Sequence, residues 1–283
     1  MTPAQFAFLS DYLRQRSGLS IGEDKRYLVE ARLSPIARSR SIASLGDLVE
    51  TLRKDVDPGL ATAVVEAMTT NETFFFRDTT PFSALSEAAL PSLLAARAAT
   101  RRLRIWSAAC STGQEPYSIA MTLDKHAAQL SGWTVEILAT DLSGAVIDRA
   151  REGLFTQFEI QRGLPTRLML TNFTQEGDKW RISDALRSRV QFRTLNLLRD
   201  FSALGRFDVV FCRNVLIYFD AAGKRDVLNR IARQTADDGF ILLGAAESVA
   251  GLGVPCRPVP GRVGLHARVP VAAGKPRLVG EVA

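Results

Sequence analysis

Residues 102–118 read RLRIWSAACSTGQEPYS and run on into IAMTLDKHAAQL. A short apolar run, a loop of small residues and an amphipathic stretch predict a strand, a tight loop and a helix. That is the arrangement in which nucleotide-binding folds hold phosphate. Two features oppose a phosphate here. The loop has one glycine, Gly113, where a dinucleotide fingerprint uses three, and it carries an acid, Glu115, that would repel a pyrophosphate. Small residues let a ligand approach the backbone closely, and the carboxylate suits a ligand that is cationic.

Downstream of this loop, strands and helices alternate. TVEILATD (134–141) predicts a strand and SGAVIDRAREG (143–153) a helix capped by Ser143. Strands VQFRTLNL (190–197) and FDVVFCRN (207–214) follow, then helix DAAGKRDVLNRIARQTA (220–236) and strand DGFILLGA (238–245). Apolar strands alternating with amphipathic helices predict an α/β fold with a parallel sheet covered on both faces. VPCRPVPGRVGLHARV (254–269) is expected to add antiparallel edge strands, and residues 271–283 are expected to form a disordered tail. Residues 155–190 break the alternation, where a crossover should be short. Within them TNFT and KWRI flank QEGD, a hairpin signal, which predicts a small inserted antiparallel β subdomain.

Residues 1–70 lack any strand signal and predict an all-α N-terminal domain. PAQFAFLSDYLRQRSG (3–18) ends at Gly18, and GEDKRYLVEARLSPIARSRS (22–41) is interrupted or bent at Pro35. SLGDLVETLRK (44–54) opens with Ser44 and Asp47 at capping-box spacing, and PGLATAVVEAMTT (58–70) starts at Pro58. The second helix carries Lys25, Arg26, Arg32, Arg38 and Arg40. These form either a solvated face or a docking face for an acidic helix or a nucleic acid. Residues 71–98 connect the two parts through NETFFFRD and a helix with Thr80 as N-cap and Pro81 in its first turn. The α/β part, by this reading, covers 99–270.

Composition excludes several classes. No apolar run approaches the ~20 residues of a membrane span, and MTPAQFAFLSDYLRQR is too charged for a signal peptide, so the cytoplasm is the expected location. Cys110, Cys212 and Cys256 match no zinc or disulfide frame and read as buried small residues. The only histidines are His126, in a helical pattern, and His266, in a basic tail. Mechanisms built on histidine are therefore unsupported and no metal is expected. The net charge of +6 permits an acidic partner.

In open α/β sheets ligands sit at the carboxyl ends of the strands. Asp141 ends the second strand, where it either accepts hydrogen bonds from ribose hydroxyls or caps the turn before Ser143. Asp141 and Glu115 together suit a ribose-bearing cation without phosphate, and S-adenosylmethionine is such a molecule. NETFFFRD, IWSAACSTGQEPYSIA, ILATDLS, LNLL and FDVVFCRNVLIYFD, in this order, resemble the chemotaxis receptor methyltransferases of the CheR family. The resemblance covers about residues 1–265.

The resemblance implies a Rossmann-like class I methyltransferase domain with a small inserted antiparallel β subdomain, preceded by an all-α domain. It implies methyl transfer from S-adenosylmethionine, leaving S-adenosylhomocysteine, to glutamate side chains on the cytoplasmic helices of chemoreceptors. On the matching positions, Asn71, Thr73, Arg77, Glu115, Asp141, Asn196, Leu197, Arg213 and Asn214 are the expected cofactor contacts. Arg77 and Tyr218 are the expected catalytic residues, and Arg77→Ala is expected to impair transfer. Arg77 has a structural alternative as an ion-pair partner, and Tyr218 one as a core tyrosine with its hydroxyl satisfied. Phe74, Phe75, Phe76 and Trp106 read as packing residues. Lys25, Arg26, Arg32, Arg38 and Arg40 are the expected receptor-docking residues. Some family members bind a receptor C-terminal pentapeptide through the β element. The hairpin here, TQEGDKW, is shorter than theirs, so weak or no pentapeptide binding is expected. A monomer with no nucleic-acid partner and no stable membrane insertion completes the reading. Two alternatives share the cofactor. A nucleic-acid methyltransferase is disfavoured by the lack of an NPPY-type motif, and a non-catalytic cofactor sensor would tolerate loss of Arg77 and Tyr218. A nicotinamide dehydrogenase is weakest, because Gly113 stands alone.

Overall fold

Strand β1 (Arg102–Ala108) is central to a seven-stranded sheet among the residues described, 1–270 of a computed structural model. The expected disordered tail, 271–283, lies outside the described residues. The other strands are β2 (Thr134–Asp141), β6 (Val190–Thr194), β7 (Phe207–Cys212), β8 (Thr235–Leu243), β9 (Cys256–Pro258) and β10 (Leu265–Arg268). Their order is β6-β2-β1-β7-β8-β10-β9, parallel except that β10 runs antiparallel to both its neighbours. The order reverses at β1, which pairs with β2 on one side and β7 on the other, so the topological switch point lies at its carboxyl end.

Alternation along β1 explains the two cores. Leu103 and Ile105 enter one, against Tyr117, Ile119 and Leu123 of helix α7 (Gln114–Asp124) and against helix α8 (Gly144–Glu152). Trp106 and Ala108 enter the other, against Val227, Leu228 and Ile231 of α12 (Ala221–Gln234). Trp106 is wholly buried, yet its indole N–H is satisfied by Thr140 Oγ1 at 2.9 Å. Burial of such a side chain contributes about 1.5–3 kcal/mol.

The N-terminal part comprises α1 (Pro3–Ser17), α2 (Arg26–Ser39), α3 (Leu45–Arg53) and α4 (Pro58–Met68), packed around Leu9, Leu13, Leu33, Leu48 and Val64. Pro35 sits inside α2 without ending it. Ser44 caps α3 through the Asp47 N–H, but Ser44 Oγ also donates to the Asp47 carboxylate, so the reciprocal half of a capping box is absent. Gly18 ends α1 in the left-handed region, where a Cβ would lie 2.2 Å from the Phe219 ring, so only glycine permits this approach to the sheet domain. Ser20 N–H donates to the Tyr218 carbonyl (2.9 Å) and Asn196 Nδ2 to the Arg16 carbonyl (2.6 Å), joining the helical part to the strand ends.

The fold class expected from the resemblance is the one adopted, with local corrections. Helix α5 (Thr80–Ala84) has Thr79, not Thr80, at its N-cap, and no side chain caps it. A π turn (Leu85–Ala89) joins it to α6 (Leu90–Ala96). Pro91 is the physical reason: its ring displaces the regular i−4 carbonyl, and the wider turn carries the Leu90 N–H to the Leu85 carbonyl instead. The insertion is a three-stranded sheet of order β3-β5-β4, made of β3 (Leu154–Thr156), β4 (Phe173–Glu176) and β5 (Lys179–Ile182). It also holds α9 (Gln157–Gln161) and α10 (Thr166–Asn172), and α11 (Asp184–Arg187) follows it. Thr156 and Glu159 form a full capping box that starts α9.

His266 lies in β10, one of the antiparallel strands expected of 254–269, but at 6% exposure, and burial lowers its pKa. His126 follows the end of α7, with Nε2 2.5 Å from Ser86 Oγ and Nδ1 2.9 Å from Gln129 Oε1. Cys110 and Cys212 are buried, which pushes their thiols up, whereas Cys256 is half-buried.

Candidate functional site

The carboxyl ends of β1, β2 and β7, with residues 195–197 after β6, open on one cleft that the helical part closes from the far side. It is lined by Asn71, Thr73, Arg77, Glu115, Asp141, Asn196, Leu197, Arg213, Asn214 and Tyr218. Every residue marked from the sequence as cofactor-binding or catalytic is thus brought to one place.

The loop after β1 folds tightly on the chain itself. Ala109, Ser111 and Gly113 all take positive φ, folding the loop tightly against β2. The Ser111 N–H donates to Asp141 Oδ2 at 2.9 Å, and the Cys110 N–H to the Thr140 carbonyl at 2.9 Å. These two loop amides are turned to the chain's own acceptors and are not offered to a ligand. Gly113 is required twice over: its φ is 93°, and a Cβ there would press on Ala150 Cβ at 3.0 Å. Ser111 Oγ donates to the Asn71 carbonyl at 2.7 Å and ties the connecting segment to the same loop.

Asp141 makes the turn contact that was one of its two expected roles, and it also faces the cleft. Oδ1 accepts the Ser143 N–H at 3.1 Å, which sets the turn, and Ser143 caps α8; the same carboxylate lines the cleft at 7% exposure. Burial pushes its carboxyl pKa up, against the lowering effect of the Ser143 and Ser111 hydrogen bonds.

Glu115 corrects the sequence reading of a bare acid. Oε1 accepts from Ser107 Oγ (2.8 Å), and Oε2 meets Arg213 Nη1 at 2.9 Å. Arg213, whose side chain is 1% exposed, also binds Asp78 Oδ2 and the Arg77 carbonyl through Nη2, each at 2.8 Å. Two carboxylates share one guanidinium, so the cluster keeps a net negative charge and still favours a cation. Among the described residues Arg213 Nε has no partner, a buried donor left open at the cleft.

Arg77 is the other cation of the cleft. Its Nη1 donates to the Glu72 carbonyl (2.7 Å) and its guanidinium lies 5.6 Å from the Phe74 ring centroid. No carboxylate pairs with it among the described residues. Tyr218 is half-buried in a 3₁₀ turn (Leu216–Tyr218), and its hydroxyl makes no hydrogen bond among the described residues. Phe75 and Phe76 are buried as expected. Phe75 packs edge-on to Phe155 and Phe173 of the insertion at 5.0 and 5.5 Å. Phe74 departs from that expectation: it is half-buried between Arg77 and Arg162.

Sequence reading missed part of the lining. Leu142 and Leu195 adjoin Asp141 and Asn196 and were legible by that adjacency; with Leu197, Val215 and Phe219 they form an apolar wall. Ser17, Leu19, Thr69 and Thr70 come from the helical part, which no local pattern connects to the strand ends. A shallower groove shares Asn71, Glu72 and Thr73 with the cleft and passes Phe158, 72% exposed, and Arg162.

The expected docking residues do not form one free basic face. Arg32 Nη1 donates to the Met68 and Thr69 carbonyls at 2.8 and 2.9 Å and clamps the end of α4. Arg40 pairs with Asp57 at 2.8 Å, and Arg26 binds the Met1 carbonyl and lies near Glu30. Lys25, which precedes α2 rather than lying in it, and Arg38 are exposed and without side-chain partners among the described residues.

The cleft therefore combines an acid at a strand end, an anionic cluster, an apolar wall, close backbone approach and one cation without a carboxylate. These features fit S-adenosylmethionine, and they do not fit a pyrophosphate. Comparison with known proteins agrees. Residues 71–263 match the family model described as "CheR methyltransferase, SAM binding domain", and residues 4–69 match "CheR methyltransferase, all-alpha domain". A chemotaxis protein methyltransferase 1 of Pseudomonas aeruginosa is 44% identical over 254 residues, covering 88% of this chain and 92% of that one. A chemotaxis protein methyltransferase Cher2 of Pseudomonas putida is 43% identical over 245 residues, covering 85% and 89%. A chemotaxis protein methyltransferase of Vibrio parahaemolyticus is 41% identical over 251 residues, covering 88% and 90%.

Proposed function

The chain belongs to the CheR methyltransferase family, and on that premise we propose that it methylates glutamate side chains on the cytoplasmic helices of chemoreceptors. Its relatives are named chemotaxis protein methyltransferases, and the family model over residues 71–263 is a SAM binding domain. The observation that carries the finer reading is Arg77. It is a cation without a carboxylate partner among the described residues, in a cleft whose other cation, Arg213, is already paired with two carboxylates.

When bound, S-adenosylmethionine supplies an electrophilic methyl group on a positively charged sulfur. Asp141 would accept from ribose hydroxyls, the wall of Leu142, Leu195 and Leu197 would cover the adenine side, and the Glu115–Arg213–Asp78 cluster would favour the cationic end. Asn71, Thr73, Asn196 and Asn214 supply further polar contacts. The acceptor glutamate has a reference pKa near about 4.3 and is ionised at neutral pH, so no residue of this chain has to take a proton from it. That agrees with a cleft lined by no histidine. The enzyme's task is positioning: Arg77 holds a carboxylate, and the open Tyr218 hydroxyl donates near the reacting groups. Exposed Lys25 and Arg38 attract an acidic receptor helix, a smaller docking face than five basic residues would make.

The deciding experiment mixes the protein with labelled S-adenosylmethionine, receptor cytoplasmic domains and nucleic acid. A base-labile methyl ester on receptor glutamates is expected; label in nucleic acid, or in no acceptor, overturns the proposal. Calorimetry with the receptor C-terminal pentapeptide is expected to show weak or no binding.

A further inference from the structure

Glu247 lies outside the cleft lining and outside every motif considered above, yet it makes the densest set of backbone contacts near the site. Its Oε2 accepts the N–H groups of Asn214 (2.9 Å) and Gly244 (2.7 Å); its Oε1 accepts those of Val215 (3.0 Å) and Leu216 (2.8 Å). Its own N–H donates to the Gly244 carbonyl at 2.9 Å. Three successive amides converge on one carboxylate only because Asn214 takes a left-handed conformation, φ 57°. Gly244 makes room for it: a Cβ there would lie 2.8 Å from Glu247 Oε2 and 2.9 Å from Asn214 Nδ2.

We propose that Glu247 is the positioning residue for the cleft loop 213–218, setting Asn214 and Tyr218 where the ligand meets them. The proposal rests on reading this cleft as the S-adenosylmethionine site. The loop follows β7 and carries Arg213, Asn214, Val215 and Tyr218 into the cleft, while Glu247 follows β8. The carboxylate therefore staples the loop of one strand to the end of the next. A carboxylate is needed rather than any polar side chain, because all four partners are donors. A glutamine of the same shape would turn an NH₂ toward two of them, converting two hydrogen bonds into donor–donor contacts.

The test is calorimetric binding of S-adenosylhomocysteine, which needs no acceptor. Glu247→Gln, checked as folded by circular dichroism and gel filtration, is expected to bind about tenfold more weakly than the wild type. In an Asn214→Gly background, which tolerates the left-handed backbone but removes the side chain, the same substitution is expected to cost less, since one of the two residues it positions is gone. A loss under threefold in the Asn214-containing protein overturns the proposal. So does an equal loss in both backgrounds, the signature of general destabilisation. If Glu247→Gln does not stay folded, Glu247→Asp, which keeps the charge but draws it back from the amides, is carried through the same cycle with the same criteria. Failure of the wild type itself to bind would instead refute the reading of the cleft.

Discussion

The cleft and the basic second helix were marked by the same kind of reasoning, and the structure treated them differently. Every marked cleft residue lines one cavity, whereas the five basic residues of 25–40 scatter into separate tasks: Arg32 clamps α4, Arg40 pairs with Asp57, and Arg26 reaches the N-terminus. Residues at strand ends are placed by the sheet, whose hydrogen-bonded register leaves little freedom. Long cationic side chains on a helix choose among whichever carbonyls and carboxylates come within reach. Position inferred from topology is therefore more secure than function inferred from charge.

The largest expected effect breaks the cleft side of this contrast. Arg213→Ala leaves Glu115 buried without its cation and removes the partner of Asp78. The loss should be about 3–5 kcal/mol of folding stability, read by urea unfolding, together with loss of S-adenosylhomocysteine binding. A variant as stable as the wild type would show that the cluster is not the keystone of the cleft.

A middle-sized effect concerns Asp141. Because burial pushes its carboxyl pKa up, it takes a proton at higher pH than an exposed aspartate, and cofactor affinity should fall as pH drops through that raised value. Asp141→Asn should bind several-fold more weakly at neutral pH and lose that pH dependence in calorimetry. The sign for folding is opposite. The native state binds this proton more tightly than the unfolded chain, so this group favours the fold increasingly as pH falls through its folded pKa.

The smallest effect lies on the helix. Lys25→Glu with Arg38→Glu should slow receptor methylation about several-fold at low salt, with salt reducing the wild type toward the variant. S-adenosylhomocysteine affinity should stay unchanged. An altered cofactor affinity, or an unaltered rate on receptor, would dissolve the distinction between the two regions.

Much of the sheet was legible because strand signals and helix caps are local: Ser143 before α8, Gly18 after α1 and Pro58 at the start of α4 all act as read. Helices α9 and α10 were not, because they span only five and seven residues, too few to show a helical period, and α10 starts without a side-chain cap. The edge strands of 254–269 were legible, but the burial of His266 was not, because it depends on what its strand pairs with, here β8 and β9.

The sequence by itself determined the alternation of strands and helices, the strand-end residues of the site and the unsuitability of the loop at 109–115 for phosphate. Tertiary structure alone decided who neutralises whom. Glu115 meets Arg213 from 98 residues away, Ser111 meets Asp141 from 30, and Glu247 gathers amides 31–33 residues before it. Local patterns report backbone conformation, which is governed by near neighbours. The charge state and open valences of a site depend on side chains that only the folded sheet brings within hydrogen-bonding distance.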